Sequence, residues 1–241
     1  MQGGEIVCGA PMFLLLARFS MSVTVRVWDL PTRIFHWSLV ICVIGLVTTA
    51  QIGGSAMGWH FRFGYSVLSL LLFRLVWGVV GGKWSRFSSF LYSPATIWRY
   101  IRGQSLPEHS VGHNPLGSLS VFAFLAFLLT QVATGLVSDD EILTAGPLTS
   151  YVSGEVVSAA TTYHTEIGKF VLIGLVVLHI GAIIFYRLNK REDLLRPMIL
   201  GDKITQVATD QSRDDARSRT LAAIVFLACA ALVTGVLKIA G

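Results

Sequence analysis

The 241-residue chain is 53% hydrophobic and only 14% charged. A soluble globular domain carries about 25% charged residues because its surface faces water, so this composition excludes a soluble protein, excludes intrinsic disorder and predicts an integral membrane protein. The three cysteines, Cys8, Cys42 and Cys229, lie in apolar surroundings and are too few for a secreted disulfide scaffold.

Residues 1–22, at the start of the chain, contain too few consecutive apolar residues to cross a bilayer. Its apolar stretch at 11–21 is interrupted by Arg18 and lacks the cleavage site of a signal peptide. We interpret it as a non-essential extension, with Met21 as an alternative native start. A damaged signal sequence is the other interpretation.

Five apolar blocks then follow, each close to the roughly 20 helical residues that a bilayer core requires. They cover approximately residues 35–52, 60–80, 116–137, 166–186 and 221–240. We predict an all-α integral membrane protein in which residues 23–201 form a four-helix transmembrane bundle. A polar linker at 202–220 leads to a fifth C-terminal transmembrane helix at 221–241.

The basic residues predict how the chain is oriented. Fifteen of the 19 lysines and arginines lie in three segments: before the first span, between the second and third spans, and between the fourth and fifth spans. These three segments are on the same side of the membrane. By the positive-inside rule that side is the cytoplasm. The protein is therefore predicted to be surrounded by lipid, with a cytoplasmic N-terminus and a C-terminus on the outer side of the membrane. The net charge of +5 then reports topology rather than a nucleic-acid partner.

Four of the six histidines lie in or at the ends of the predicted spans, where ionisable side chains are costly and suggest function. The predicted orientation puts His36 and His179 near the cytoplasmic side, and His60 and His164 near the outer side. His164 and His179 are about 22 Å apart along the helix axis and within about 60° on one face. For each histidine taken alone, a hydrogen bond to a neighbouring helix is the alternative.

Two imidazoles facing each other at one depth suit a metal that needs only two protein ligands. A zinc ion needs three or four, whereas a haem iron takes four ligands from its porphyrin. No Cys-x-x-Cys-His motif occurs, so covalent attachment is excluded and b-type haem remains. We predict two non-covalent haem b groups, an inner one on His36 and His179 and an outer one on His60 and His164. Gly64 and Gly168, each four residues after a histidine, are predicted to let the macrocycle approach the backbone.

Haem propionates need positive partners in low-dielectric surroundings. The candidates are Arg33 and Arg74 at the inner level and Arg62 and Lys169 at the outer level. Snorkelling to the headgroups is the alternative for Arg33 and Arg62.

A further histidine, His113, precedes a predicted helix start, with Asn114 as the cap and Pro115 in the first turn. It is a candidate for a propionate or quinone contact, for loop packing, or for replacing His36 as ligand. His109, in the same polar loop, is expected at the surface.

Four segments resemble, in order, those of the bacterial cytochrome b561 and nickel–iron hydrogenase b-type cytochrome family. They are VRVWDLPTRIFHW at 25–37, FRLVWGVVGGKWSRF at 73–87, GHNPLG at 112–117 and YHTEIGKFVLIGLVVLH at 163–179. The resemblance covers roughly residues 23–200. It implies a four-helix bundle with two b haems in the bacterial cytoplasmic (inner) membrane, with the C-terminus in the periplasm. The family's ligand positions correspond to His36, His60, His164 and His179. The linker and fifth span depart from the shortest members, which leaves the role of residues 202–241 open.

The leading hypothesis is transmembrane electron transfer between the membrane quinone pool and a partner redox protein. The resemblance implies a hydrogenase, a c-type cytochrome or another dehydrogenase as that partner, and a bound quinone is a further candidate ligand. No catalytic triad, phosphate-binding loop or dinucleotide fingerprint indicates independent catalysis. The alternative is a membrane anchor or assembly subunit with structural haems, in a homo- or hetero-oligomer. A histidine-relay transporter would require staggered depths instead of two levels.

Overall fold

The computed structural model describes residues 22–140 and 144–240, so Cys8 and nearly all of the predicted extension lie outside the described residues. Five helices in this part of the chain are long and apolar enough to cross a membrane. The predicted helical membrane fold is confirmed. The spans are Leu30–Ile52, Gly54–Val80, Pro115–Leu136, Gly154–Asn189 and Ala216–Ala240.

The regular elements are strands β1 and β2 and helices α1 to α8. In chain order they are β1 (Val23–Arg26), α1 (Leu30–Ile52), α2 (Met57–Val80), α3 (Pro94–Ile101), α4 (Pro115–Leu136), α5 (Gly154–Thr162), α6 (Lys169–Asn189), α7 (Leu195–Leu200), β2 (Asp202–Thr205) and α8 (Ala216–Ala240). A π-helical segment, Tyr163–Gly168, joins α5 to α6.

Polar side chains determine where two of the spans begin. The Asp29 carboxylate accepts a hydrogen bond of 2.8 Å from the Thr32 N–H at the start of α1. At the start of α4, the Asn114 side chain accepts one of 2.7 Å from the Gly117 N–H, with Pro115 in the first turn. Such caps satisfy backbone donors that have no partner within the helix. The predicted start of the third span is therefore confirmed.

The fourth span is longer than its apolar block. Helix α5 begins at Gly154, capped by the Ser153 side chain, whereas the apolar block predicted for this span begins only at residue 166. Residues 154–165 are too polar for a hydropathy criterion, but the cap and the continuous backbone bonding extend the helix through them. His164 therefore lies inside a long helix, within its π-helical segment.

At one end of the bundle, β1 pairs antiparallel with β2, with Val23 opposite Thr205 and Arg26 opposite Asp202. We call this the sheet end, and the opposite end, where the chain connects α4 to α5, the loop end. The segment predicted as a linker at 202–220 thus contains a strand, and α8 begins within it at Ala216. The local sequence pattern around either strand does not reveal this pairing, because β1 and β2 are far apart in the sequence.

The charges at the sheet end converge on Asp214. Its carboxylate accepts hydrogen bonds from Arg26 (2.7 Å), Arg219 (3.0 Å) and the Leu30 N–H (3.0 Å), and Arg33 lies 3.7 Å away. Burial tends to raise the pKa of Asp214, but the hydrogen bonds from Arg219, Leu30 and Arg26 hold it below the usual value. This network joins the start of α8 to the start of α1.

The core is centred on α2, which packs against α1, α4 and α8. Ala222 and Cys229 of α8 belong to the same buried cluster as the α2 residues, and the ring of Phe226 contacts that of Phe73. The fifth helix is therefore part of this chain's own bundle. A methyl group added at Gly235 would meet nothing within 4 Å, so that position of α8 is not covered by the part of the chain that the structure describes.

Candidate functional site

Two pairs of histidines face each other between helices. His36 of α1 and His179 of α6 have ring centroids 6.4 Å apart and ring planes at 47°; we call them the inner pair because they lie nearer the sheet end. His60 of α2 and His164 of the π-helical segment have centroids 6.2 Å apart and planes at 86°; they form the outer pair. The structure thus brings together the same partners that the depth argument matched.

The spacing within each pair fits one metal atom between two imidazoles. A metal–imidazole bond is about 2.0–2.1 Å long and its nitrogen lies about 1 Å from the ring centre, so two imidazoles on opposite sides of a metal have centroids about 6 Å apart. Among the described residues, no group of three or more His, Cys, Asp or Glu side chains is placed to hold a metal ion. The spacing within each pair suits an iron that takes its other ligands from a porphyrin.

A cavity of about 350 Å³ adjoins the outer pair. It is mainly apolar, and its lining includes His60, Gly64, Gln131, Gly135, His164 and Lys169. A methyl group added at Gly64 would meet nothing within 4 Å, so this glycine keeps its side of the cavity open, as predicted.

Gly168 differs from the prediction, because a methyl group there would collide with the Gln131 side chain. Gly168 faces α4 rather than open space. His164 faces the same helix, because its Nδ1 is bonded to the Gln131 carbonyl, and the Gln131 side chain occupies the space beside Gly168.

Backbone carbonyls fix both imidazoles of the outer pair. Nδ1 of His60 lies 3.1 Å from the Leu46 carbonyl oxygen, and Nδ1 of His164 lies 2.9 Å from that of Gln131. A carbonyl oxygen only accepts, so Nδ1 carries the proton in each ring and Nε2 retains a lone pair. Such a bond orients a metal-binding histidine and makes it a stronger donor.

The inner pair has different surroundings. Nδ1 of His36 is buried and has no hydrogen-bond partner. The rings of Trp37 and Phe124 meet the edges of His36 and His179, with centroids at 5.2 and 5.7 Å. Aromatic rings rather than backbone acceptors therefore surround these imidazoles.

Two residues of α4 that we did not single out from the sequence hold His164. The Gln131 side-chain N–H donates to the His164 carbonyl at 3.0 Å, and Gly135 lies directly against the imidazole. A glutamine inside an apolar span is a signal that could have drawn attention to Gln131. Gly135 has no such signal, because its importance depends on another helix.

The two basic residues predicted at the inner level both have protein partners. Arg33 donates to the Ile199 carbonyl at 2.7 Å, and its Nε is buried with no partner. Arg74, 3% exposed, donates to the Ser85 carbonyl at 3.0 Å and lies 4.7 Å over the ring of Phe87. Snorkelling does not describe a guanidinium as buried as that of Arg74.

The two basic residues predicted at the outer level differ in position. Lys169 lines the cavity beside the outer pair. Arg62 is exposed and lies 4.7 Å over the ring of Trp59. Of the two, Lys169 is the one next to the space that a cofactor would fill.

His113 lies between two aromatic rings, with centroids 4.6 Å from Trp28 and 4.5 Å from Phe90. Its Nδ1 is buried without a partner. Burial, followed by the positive charge of Arg74, lowers the pKa of His113 to about 3. The ring that faces His179 belongs to His36, so His113 does not take the place of His36 in the inner pair.

The expectation that His109 lies at the surface was wrong. His109 is 7% exposed and its Nδ1 accepts a hydrogen bond of 3.2 Å from the Leu106 N–H. The short turn at Pro107–Ser110 folds the imidazole inward, where it contacts the rings of Tyr92 and Tyr100.

Comparison with known proteins supplies independent evidence. The sequence model of the family described as "Prokaryotic cytochrome b561" matches residues 27–201. The "Probable Ni/Fe-hydrogenase B-type cytochrome subunit" of Bradyrhizobium diazoefficiens is 26% identical over 215 residues, covering 75% of this chain and 86% of that protein. The protein of the same name from Rhodobacter capsulatus is 26% identical over 215 residues, covering 75% and 81%. The "Probable Ni/Fe-hydrogenase 1 B-type cytochrome subunit" of Escherichia coli K12 is 27% identical over 139 residues, covering 45% and 57%.

Proposed function

The chain belongs to the prokaryotic cytochrome b561 family, and on this premise we propose that it carries electrons between two haem b groups, one on each histidine pair. Membership and the five apolar helices make it a multi-pass inner-membrane protein that binds haem b and transfers electrons. The proposal adds the number of haems, their ligands and the route between them. His36 and His179 hold the inner haem, and His60 and His164 hold the outer one.

The observation that supports this proposal most directly is the spacing of the imidazoles. Two separate pairs have ring centroids 6.4 and 6.2 Å apart, which matches two nitrogens on opposite sides of one iron. Four histidines packed by chance would have no reason to show the same ring spacing in two separate pairs. In the outer pair, the Leu46 and Gln131 carbonyls also leave Nε2 as the atom available to a metal.

Haem b bound at these pairs supplies reversible one-electron chemistry between ferric and ferrous iron. The chain's own residues orient the imidazoles, exclude water and balance charge. The apolar core around α2 keeps the surroundings at low dielectric, which strengthens every charge interaction near the iron sites.

We assign the charge-balancing role to the basic residues nearest each pair. Lys169 beside the outer cavity is suited to a propionate of the outer haem. Arg74, and the unpartnered Nε of Arg33, are suited to the inner one. His113, whose Nδ1 also has no partner, is suited to donate to a propionate or to a quinone oxygen. Arg62 remains a candidate for the outer haem.

We propose the membrane quinone pool and a redox protein as the two electron partners. The printed names of the relatives favour a nickel–iron hydrogenase as that protein, with a c-type cytochrome or another dehydrogenase as alternatives. The chain would lie with its N-terminus and sheet end in the cytoplasm and its C-terminus in the periplasm, as the basic residues indicate. Accessibility of single cysteines placed in the two terminal segments tests this orientation.

Spectroscopy of the purified full-length chain tests the haem proposal. Reduced-minus-oxidised spectra are expected to show b-type bands, and haem analysis about two haems per chain. A colourless protein after expression with ample haem supply would refute it. Reduction of the bound haems by a quinol analogue then tests the quinone partner.

The second candidate is an anchor or assembly subunit whose haems are structural. The uncovered position at Gly235 on α8 favours it, because small residues allow close approach of another transmembrane helix. An anchor would bind haem normally, but a quinol analogue would not reduce it.

A further inference from the structure

Two threonines occupy equivalent positions beside the outer histidine pair. Thr49 of α1 lies three residues after Leu46, whose carbonyl oxygen is bonded to His60. Thr134 of α4 lies three residues after Gln131, whose carbonyl oxygen is bonded to His164. We call each combination of a carbonyl and a threonine at this spacing a threonine notch: Leu46 with Thr49, and Gln131 with Thr134.

In the first notch, the imidazole N–H of His60 faces two oxygen atoms. The Leu46 carbonyl oxygen lies 3.1 Å and the Thr49 hydroxyl oxygen 3.4 Å from Nδ1. The shortest hydrogen bond of the Thr49 hydroxyl, 2.6 Å, goes to the Gly45 carbonyl. The same hydroxyl lies 3.2 Å from the Leu46 carbonyl oxygen. The shorter contact assigns its proton to Gly45, which leaves a lone pair of the hydroxyl oxygen available to the imidazole N–H.

The second notch repeats this arrangement on another helix. The Gln131 carbonyl oxygen lies 2.9 Å and the Thr134 hydroxyl oxygen 3.5 Å from Nδ1 of His164. The Thr134 hydroxyl donates to the Thr130 carbonyl at 2.9 Å and lies 3.0 Å from the Gln131 carbonyl oxygen. A threonine hydroxyl bonded back to the preceding turn often bends a helix. Each notch therefore places a second, more distant oxygen beside the imidazole N–H.

We infer that Thr49 and Thr134 are positioning residues that strengthen electron donation from His60 and His164 to the outer iron and thereby lower the potential of the outer haem alone. This inference rests on the proposed function, because it requires a haem on the outer pair. A more strongly hydrogen-bonded Nδ1–H makes an imidazole a better donor, and a better donor favours the ferric state.

The inner pair provides an internal comparison. Nδ1 of His36 is buried without a hydrogen-bond partner among residues 22–140 and 144–240, so no notch formed by these residues acts on that imidazole. If the threonines act through the outer imidazoles, the inner haem should not respond to their replacement. A general loosening of the bundle would affect both haems.

The test is a redox titration of the purified two-haem protein carrying Thr49→Val or Thr134→Val, which keep the side-chain shape and remove the hydroxyl. Thr49→Ser and Thr134→Ser restore the hydroxyl. Thr130→Val is the matched control, because the exposed Thr130 hydroxyl also bonds back to its own helix, at Ala126, and no contact with a histidine is formed. His179→Ala identifies which spectral component is the outer haem.

We expect each valine variant to retain both haems and to shift the outer ferric–ferrous equilibrium at least threefold towards ferrous, a rise of about 28 mV at 59 mV per tenfold change. The electron paramagnetic resonance signal of the outer ferric haem should shift as well. The serine variants and Thr130→Val should behave like the unmodified chain. An unchanged or lowered outer potential, or an equal shift of both haems, would overturn the inference. A protein without an outer haem would instead refute the proposed function.

Discussion

Gly135 of α4 lies against the imidazole of His164, so close that a methyl group at Gly135 would come within 2.7 Å of the His164 Cε1 atom. The same imidazole is bonded through Nδ1 to the Gln131 carbonyl, one turn earlier on α4. Helix α4 thus provides both the hydrogen-bond acceptor that orients His164 and the space, beside Gly135, that the His164 ring occupies. The absence of a side chain at Gly135 is therefore a condition for the outer pair.

Gly135→Ala should displace the His164 ring and weaken outer-haem binding by about tenfold or more, the range seen when groups supporting a metal ligand are altered. Haem analysis after dialysis should show about one haem per chain, with the inner haem retained. Gly174→Ala is the control, because a methyl group at Gly174 meets nothing within 4 Å. Full retention of both haems in Gly135→Ala would contradict the prediction.

His179→Ala should remove the inner haem and leave the outer one, because His36 alone cannot supply two axial ligands. The expected result is about half of the b-type absorbance with a single remaining potential. Leu178→Ala, at a neighbouring residue that is 71% exposed to the outside of the bundle, controls for truncation in the same helix. Loss of neither haem would rule out the inner pair as a ligand set.

Asp29→Ala should strongly destabilise the fold at the sheet end. Asp29 is fully buried, and its carboxylate accepts hydrogen bonds from Trp77 (3.2 Å), Gly82 (3.2 Å) and Ser85 (2.8 Å) in addition to its capping bond. Breaking a buried network of this kind costs about 3–5 kcal/mol, which should appear as a large fall in the melting temperature in detergent.

The matched control is Asp210→Ala. The Asp210 side chain is 86% exposed and pairs with Lys83 at 2.9 Å. A surface ion pair contributes about 0–1 kcal/mol, so the melting temperature should hardly change. Similar losses in the two variants would show that burial of Asp29 is not what stabilises this end.

His113 should make the protein less stable in acid. Its pKa in the fold is lowered to about 3 by burial, whereas the unfolded value is about 6.5. Below about pH 6.5 the unfolded chain therefore binds a proton that the folded chain does not, and stability is lost as the pH falls towards about 3. His113→Phe removes this contribution while keeping a ring between Trp28 and Phe90.

The measurement is the melting temperature at about pH 7.5 and about pH 5.5, on either side of the ordinary histidine pKa. The fall between the two should be smaller for His113→Phe than for the unmodified chain, since the other histidines are common to both. An equal fall in both proteins would exclude His113 as the source.

Much of this architecture follows from composition and spacing. Five blocks of apolar residues predict five membrane-spanning helices, because backbone groups in lipid must form their hydrogen bonds within the helix. His36, His60, His164 and His179 could be matched in depth from chain direction and helix rise alone. The cap at Asn114 was predictable because capping is a local interaction between residues three apart.

Other features depend on contacts between segments far apart in the chain. The pairing of β1 with β2 and the convergence of Arg26, Arg219 and Leu30 on Asp214 join the two ends of the chain, and no local pattern records them. The burial of His109 depends on the rings of Tyr92 and Tyr100 that it contacts.

Composition and helix rise were enough to place four histidines at two levels of a helical membrane bundle, since both are properties of one segment at a time. The bonds of His60 and His164 to the Leu46 and Gln131 carbonyls, and the space that Gly135 leaves for His164, become visible only in the packed helices. A backbone carbonyl is the same in every residue type, and the space beside a glycine depends on which helix packs there. The orientation and proton position of these imidazoles therefore emerge only when the helices are assembled.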